Sequence, residues 1–222
     1  MTVGRRQTFG DGHNSVGRRD RREKPMLHRA TPERMTLFSD GIFAVLITVL
    51  VLDLRPPVHP TFEAVLALWP AWLSYAISYL FIAIVWINHH YLLRYAAEAT
   101  PRLVWFNFAH LFSMSLLPFS TAWMALSGLA PQAVSFYAAV FFVVNATYVC
   151  LIHELVERTP DVPSAVRKAM RRRAIVTLFL FASASLTALR YPLAGLGICL
   201  CCLAVYLRPD PPSSSPEPKR NH

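Results

Sequence analysis

Length, composition and charge together indicate an integral membrane protein. The chain has 222 residues, of which 54% are hydrophobic and only 16% are charged, whereas a soluble domain carries about 25% charged residues. The formal net charge of +9 does not indicate nucleic-acid binding, because the basic residues gather at the ends of apolar segments, as the positive-inside rule expects. The cysteines lie within apolar segments and indicate no disulfide framework. They are Cys150, Cys199, Cys201 and Cys202.

The two ends of the chain are predicted to stay outside the packed structure. Residues 1–33 are rich in Arg, Gly and polar side chains and lack the apolar core of a signal peptide. We expect them to form a disordered, basic cytoplasmic segment. Residues 208–222 are rich in Pro and Ser and are expected to form a disordered cytoplasmic tail. The membrane domain is therefore predicted over residues 34–207.

Six apolar segments within that domain are predicted to cross the bilayer, which takes about 20 apolar residues for each helix. They lie near residues 34–54, 63–94, 101–126, 131–156, 170–189 and 193–207. Pro118 predicts a kink in the third segment, because proline has no N–H to donate and its ring obstructs the preceding turn. The predicted fold class is all-α, with six transmembrane helices in each subunit.

The basic residues predict the orientation of these spans. Of the 22 Lys and Arg residues, all but Arg55 and Arg190 fall on one side of the membrane in the six-span arrangement. Since Lys and Arg accumulate in cytoplasmic loops, that side is predicted to be the cytoplasm. Both termini are then cytoplasmic, and the chain is predicted to be a multi-pass protein of the plasma membrane, which is the inner membrane in a bacterium.

Polar side chains from four of the predicted spans fall at one depth, in the cytoplasmic half of the domain. Asp40 is the most informative, because an ionisable group at membrane depth is costly and is usually paired and functional. We predict that it pairs with Arg34, His89 or His90 and so fixes the first span against the others. At about 1.5 Å per residue, the same layer contains Ser39, Asn88, Asn107, His110, Asn145, Thr147, His153 and Glu154. An ordinary position at the membrane interface is the preferred interpretation for Trp86, Trp105, Asn107, His153 and Glu154.

Two blocks of sequence resemble the transmembrane protein 175 family of potassium channels. The first is Arg34-x-x-x-Phe38-Ser39-Asp40, which continues as Gly41-Ile42-Phe43-Ala44 and ends with Leu50-Val51-Leu52-Asp53. The second is Trp86-Ile87-Asn88-His89-His90. The resemblance implies a cation channel with a weak to moderate preference for potassium, lined by first spans around a central axis. Because the chain has one such motif and no internal repeat, it resembles the prokaryotic single-repeat form, which implies a homotetramer.

The resemblance also implies roles for residues of the first span. The hydrophobic constriction of the family falls on Val45, Val49 and Leu52, which share one helix face, and Thr48 matches the threonine associated with ion preference. Valine stands at two positions where the family usually has bulkier Ile or Leu. Asp53 closes the span at the pore mouth, where a carboxylate attracts cations or marks the helix end. The implied structural polar network consists of Arg34, Phe38, Ser39, Asp40, Asn88, His89 and His90.

The chemistry of the sequence is consistent with such a pore. The chain has no T-V-G-Y-G loop and therefore no carbonyl filter of the usual kind, so a ring of aliphatic side chains would select ions by size and dewetting. We expect no resident cofactor or metal, with potassium as the permeant ion. The partners expected are further copies of the chain and the lipid bilayer. Pairs of small residues, Ser183 with Thr187 and Ala184 with Ala188, are expected to permit close contact in the assembly.

Two other function classes remain as alternatives. A proton-coupled secondary transporter could use Asp40 and the histidine layer as a relay, although the chain lacks the internal repeats typical of transporters. A membrane enzyme or haem protein could be built on His89, His90, His110 and His153. The sequence has no H-E-x-x-H motif, however. An enzyme is therefore not expected.

Overall fold

The computed structural model describes residues 31–157 and 163–206, and this part of the chain contains helices and no β-strand. The helices are α1 Pro32–Leu52, α2 Phe62–Ala67, α3 Trp69–Leu93, α4 Pro101–Ser115, α5 Leu117–Leu126, α6 Pro131–Ile152, α7 Ser164–Ala188 and α8 Pro192–Tyr206. A π-helical turn over His153–Glu157 continues α6. The expected disordered segments lie outside the described residues, apart from residues 31–33, of which Pro32 and Glu33 already belong to α1.

Threonine and proline set the starts of α1 and α4. The hydroxyl oxygens of Thr31 and Thr100 accept hydrogen bonds from the backbone N–H groups of Arg34 and Leu103, at 3.3 and 3.2 Å. Such a cap satisfies one of the free N–H groups at a helix start and contributes about 1 kcal/mol. Proline follows both caps, at a position where its missing N–H costs nothing. Helix starts are therefore encoded locally, before any tertiary contact forms.

Two of the predicted spans are divided by a break. The kink at Pro118 is confirmed, since α4 ends at Ser115 and α5 begins at Leu117. The second segment, predicted as one helix, is instead split at Leu68 between α2 and α3. The cause is Pro70, whose ring conflicts with the carbonyl four residues earlier and ends the preceding helix. Of these two helices, only α3 is long enough to cross the domain.

Four helical segments are long and apolar enough to cross a membrane. They are Pro32–Leu52, Trp69–Leu93, Pro101–Leu126 and Pro131–Val156, so the chain is a multi-pass membrane protein. Helix α8 is apolar but shorter, and the first half of α7 carries five basic residues. The crossing of the membrane by α7 and α8 therefore stays a prediction.

Helix α6 lies at the centre of the bundle and contacts α3, α4, α5, α7 and α8. Its Phe141 stacks on Phe81 of α3, with ring centroids 3.7 Å apart, and meets the edge of Phe181 of α7 at 5.4 Å. Helix α1 packs at the side of this core, against α3, α4 and α5. One face of α1 is therefore left without a neighbour among the described residues.

Helices α7 and α8 pack closely through small residues. A Cβ atom added to Gly195 of α8 would lie 2.7 Å from the carbonyl oxygen of Ala184 and 2.7 Å from the Cβ of Ala188. Both alanines are fully buried within the chain. The expectation that this alanine pair serves contact between subunits is therefore wrong, because α8 of the same chain already covers it.

Candidate pore helix and its polar anchor

Helix α1 has one buried and one exposed face although it is apolar on both. The buried face consists of Met35, Ser39, Phe43, Leu46 and Leu50. The predicted constriction residues lie on the other face, where Val45, Val49 and Leu52 are 56%, 37% and 77% exposed. At about 100° per residue, these three side chains fall within about 60° of arc. An isolated chain thus presents an aliphatic stripe that no other helix of the described chain covers.

The other two predicted pore residues lie beside this stripe. Thr48 is exposed and donates its hydroxyl hydrogen to the carbonyl of Val45, with the two oxygens 2.7 Å apart. Its hydroxyl oxygen retains lone-pair capacity towards the exposed side. Asp53 is the exposed residue at the end of α1, and its backbone N–H bonds to the carbonyl of Val49 at 3.2 Å. Asp53 therefore lies at the end of the stripe, about 80° around the helix from Val45.

The carboxylate of Asp40 is held by a tryptophan. The indole Nε1 of Trp86 on α3 donates to Oδ1 of Asp40 at 2.8 Å. Among the described residues, no hydrogen bond joins Asp40 to the predicted partners Arg34, His89 or His90, although His89 is near enough to interact with its charge. Arg34 lies six residues earlier, about 120° away around α1, and its side chain is exposed. Trp86, interpreted from the sequence as an interface residue, is the partner that sequence reasoning missed.

A second polar contact lies on the buried face of α1. The amide Nδ2 of Asn107 on α4 donates to Oγ of Ser39 at 3.0 Å. Its Oδ1 lies 2.7 Å from Nε2 of His89 on α3, so this imidazole nitrogen carries the proton that Asn107 accepts. All three side chains are buried. Asn107 is thus a buried bridge between three helices rather than the interface residue expected.

This bridge continues into a stack of two histidines. The rings of His89 and His110 lie parallel within 9°, with centroids 5.5 Å apart. Nδ1 of His110 is 3.0 Å from Oγ1 of Thr147 on α6, and Thr147 also meets the hydroxyl of Ser113 at 3.1 Å. The polar layer predicted from depth alone therefore exists as a contact network between α1, α3, α4 and α6. The signal in the sequence was the i, i+3 spacing of Asn107 and His110 on one helix face.

The remaining predicted network residues lie outside this chain of contacts. Nδ2 of Asn88 donates to the carbonyl of Ile84 in its own helix, at 2.7 Å. The ring of His90 lies 5.9 Å from the indole of Trp86, centroid to centroid. Phe38 meets the edge of Phe108 at 5.5 Å. These side chains pack near the network without joining its hydrogen bonds.

An ion pair ties α4 to the end of α6. Nε of Arg102 lies 3.1 Å from Oε2 of Glu154, whose side chain is almost fully buried. The guanidinium also lies over the ring of Phe106. Glu154, interpreted from the sequence as an interface residue, thus has a structural contact. Within residues 31–157 and 163–206, no three His, Cys, Asp or Glu side chains gather as a metal site.

Comparisons with known proteins show chains of similar sequence. Residues 34–118 match the family model described as endosomal/lysosomal potassium channel TMEM175. A protein of a Chryseobacterium species, named a potassium channel, is 26% identical over 182 residues, which is 81% of this chain and 94% of that protein. A second potassium channel, from Chamaesiphon minutus, is 35% identical over 124 residues, covering 52% of this chain and 61% of that protein.

The fold has a solved counterpart. It matches the crystal structure of a lysosomal potassium-selective channel TMEM175 homologue from Chamaesiphon minutus with a TM-score of 0.71 and 26% identity. The match covers 79% of this chain and 95% of the other. The resemblance drawn from the first two spans is confirmed, and the structural match extends it well beyond residues 34–118.

Proposed function

The chain is a relative of the TMEM175 potassium channels, and we propose that it forms a potassium-permeable cation channel in the cell membrane. Its relatives from Chryseobacterium and Chamaesiphon are named potassium channels, and the match to the first spans over residues 34–118 contains the proposed pore helix. None of these comparisons points to an enzyme.

The observation that carries the proposal is the uncovered aliphatic stripe of α1. Val45, Val49 and Leu52 are exposed in the single chain, and one helix cannot enclose a path for ions. Several copies arranged with cyclic symmetry would bring the stripes together around an axis. Four copies follow from the resemblance to the single-repeat form of the family. In such a tetramer the stripe becomes the pore lining.

The stripe would act as a hydrophobic constriction. A narrow aliphatic ring excludes water, and it passes an ion only when the ring is wide enough to hold part of the hydration shell. Val45 and Val49 are smaller than the Ile or Leu usual in the family, so we propose a wider ring at these two levels. Thr48 would offer its hydroxyl oxygen to the ion path beside the ring.

The polar contacts of α1 would hold this stripe towards the axis. Asp40 is hydrogen-bonded to Trp86, and Ser39 is hydrogen-bonded to Asn107. Both residues lie on faces of α1 other than the face that carries the stripe. A buried hydrogen bond contributes about 1 kcal/mol, and an orphaned buried partner costs about 1–3 kcal/mol. We propose that these residues set the rotation of α1 and do not contact the ion.

The topology follows from the distribution of charge. We propose that α7 and α8 cross the membrane in addition to the four longer spans, and that both termini are cytoplasmic. This arrangement leaves only Arg55 and Arg190 on the outer side among all Lys and Arg residues, in keeping with the positive-inside rule. A four-span arrangement would leave only Arg55 on the outer side, so the charge distribution supports cytoplasmic termini for either number of spans.

The test is recording from purified protein in planar bilayers with opposed potassium and sodium gradients. We expect single-channel currents whose reversal potential indicates a preference for potassium. Cysteines introduced at positions 45, 49 and 52 should react with silver ions applied to the conducting pore. Native mass spectrometry should show a species of about 100 kDa, four times the 25.0 kDa chain.

Two results would contradict the proposal. Cysteines at all three positions that resist silver would show that α1 does not line the pore. A monomer that still transports ions after reconstitution would favour the alternative, a proton-coupled transporter using Asp40 and the histidine layer. Flux that depends on a proton gradient and saturates with ion concentration would identify that alternative directly.

A further inference from the structure

Helix α7 carries an exposed stripe that changes from basic to apolar along its length. Lys168 and Arg172 are exposed in its first half, and Ile175, Val176 and Phe179 are exposed directly after them. At about 100° per residue these five side chains fall within about 100° of arc, on one face. The distance along the axis from Lys168 to Phe179 is about 17 Å at the helical rise of 1.5 Å per residue.

The opposite face of α7 is fixed to the bundle. Ala174, Thr177 and Phe181 are buried, and Nδ2 of Asn145 on α6 donates to the carbonyl of Ala174 at 2.8 Å and to the hydroxyl of Thr177 at 3.1 Å. The rotation of α7 is therefore set from inside. The stripe accordingly points away from the core, to where a membrane protein meets lipid.

An open surface hollow of about 550 Å³, lined by residues of α7 alone, lies over the basic part of this stripe. Its lining includes Lys168, Arg171 and Arg172 together with Ala165, Ile175 and Val176. No acidic residue occurs between Ser164 and Ala188, so α7 itself places no carboxylate beside Lys168 and Arg172. An anion with an attached apolar group fits a helix face that is cationic at one end and aliphatic at the other.

We propose that this stripe binds an anionic phospholipid of the inner leaflet. Its phosphate would contact Lys168 and Arg172, since both side chains donate charge-assisted hydrogen bonds to phosphate oxygens. Its acyl chains would lie along Ile175, Val176 and Phe179. The positive-inside rule alone accounts for cations at this end of α7, but it does not require Lys168 and Arg172 to share one exposed face with Ile175, Val176 and Phe179. The inference rests on the proposed crossing of the membrane by α7, and it does not depend on ion conduction.

The experiment is a titration of the purified full-length chain in neutral detergent with a phosphatidylglycerol or a phosphatidylcholine, followed by native mass spectrometry. The test variant is Lys168→Gln with Arg172→Gln. The matched control is Arg55→Gln with Arg190→Gln, which removes the same charge from the other end of the spans. Each cation near an anionic lipid contributes about fivefold in affinity, so the test variant should bind phosphatidylglycerol about 25-fold more weakly. The control should bind as the unmodified chain does.

Additional measurements distinguish a bound lipid from a soluble phosphate compound, and a loss of binding from a loss of folding. Millimolar glycerol 3-phosphate should not displace the lipid, and Phe179→Ala should weaken phosphatidylglycerol binding without affecting the basic end. If the double variant does not fold, the two single variants are titrated, each with a loss of about fivefold expected.

Equal affinity for the two lipids, or equal loss in test and control variants, would overturn the proposal. Displacement by glycerol 3-phosphate would overturn it in favour of a soluble anion site. Because binding is read without ion flux, a failure of the channel proposal would leave this result standing.

Discussion

Nε1 of Trp86 and Oδ1 of Asp40 are joined by a hydrogen bond of 2.8 Å between α3 and α1. An indole N–H is a donor only, so it can satisfy a carboxylate oxygen without introducing a second ionisable group. Asp40 makes this bond from the face of α1 that lies away from the aliphatic stripe. Asp40 thereby joins α1 to α3 through a neutral hydrogen-bond donor, on the side of α1 away from the proposed ion path.

Removing the indole donor should weaken the attachment of α1. We expect Trp86→Phe to lower the free energy of unfolding by about 1 kcal/mol, since Asp40 loses its partner while the site stays partly exposed. Asp40→Ala should have a similar effect, and Asp40→Asn a smaller one because the amide retains an acceptor oxygen. Thermal unfolding in detergent would measure these changes, with Trp105→Phe as a control at a 74% exposed position.

The same variants test the role of Asp40 in conduction. A tetramer with Asp40→Asn should keep the potassium-to-sodium permeability ratio of the unmodified protein. A variant that assembles normally but loses its cation preference would reverse the assignment and make Asp40 part of the ion path.

The buried amide of Asn107 should matter more than the partly exposed Asp40 contact. Asn107→Ala removes both the donor to Ser39 and the acceptor for His89. Each orphaned buried group costs about 1–3 kcal/mol, so for the two groups we expect a loss of about 2–6 kcal/mol and a reduced yield of tetramer. Size-exclusion chromatography and thermal unfolding would measure both quantities.

Asn88→Ala is the matched control for Asn107. It also removes an amide, but the side chain of Asn88 donates only within its own helix. An equal loss in both variants would indicate a general effect of removing polar groups and would exclude a specific bridge at Asn107.

Polar substitutions in the aliphatic stripe should make it easier for water to occupy the proposed constriction. Val45→Asn and Val49→Asn are expected to raise single-channel conductance and to lower the potassium-to-sodium permeability ratio, because an amide reduces the cost of keeping water in a narrow ring. Bilayer recording under opposed gradients measures both. Val51→Asn is the control, since Val51 is 48% exposed but lies about 120° around the helix from Val45. A larger effect at position 51 would place the pore on a different face.

The helices could be predicted from the sequence because hydropathy and capping act locally. The bounds of α1 and α6, and the break at Pro118, follow from apolar length, Thr31 and the placement of prolines. The break at Leu68 was missed although its cause, Pro70, lies in the sequence. Apolar length alone favoured a single helix there, and only the packing of α3 shows where the continuous span begins.

The partners within the site could not be predicted to the same degree. Depth along each span placed Ser39, Asn107 and His89 in one layer, which the structure confirms. Which of them touch depends on the rotation of each helix, and an apolar helix such as α1 gives almost no rotational signal. Charge complementarity therefore favoured Arg34 or a histidine for Asp40, whereas geometry supplies Trp86.

The close packing of α7 and α8 predicts a contrast between two glycines of the same helix. A Cβ at Gly195 would lie 2.7 Å from the Ala184 carbonyl oxygen, a backbone atom that cannot move without shifting α7. Gly195→Ala should therefore cost about 1–3 kcal/mol, the usual range for overpacking. A Cβ at Gly197 would meet no atom within 4 Å, so Gly197→Ala should be neutral or should stabilise the helix by up to about 1 kcal/mol. Thermal unfolding of the two variants in one detergent measures the contrast, and equal stabilities would mean that α8 does not approach α7 at Gly195.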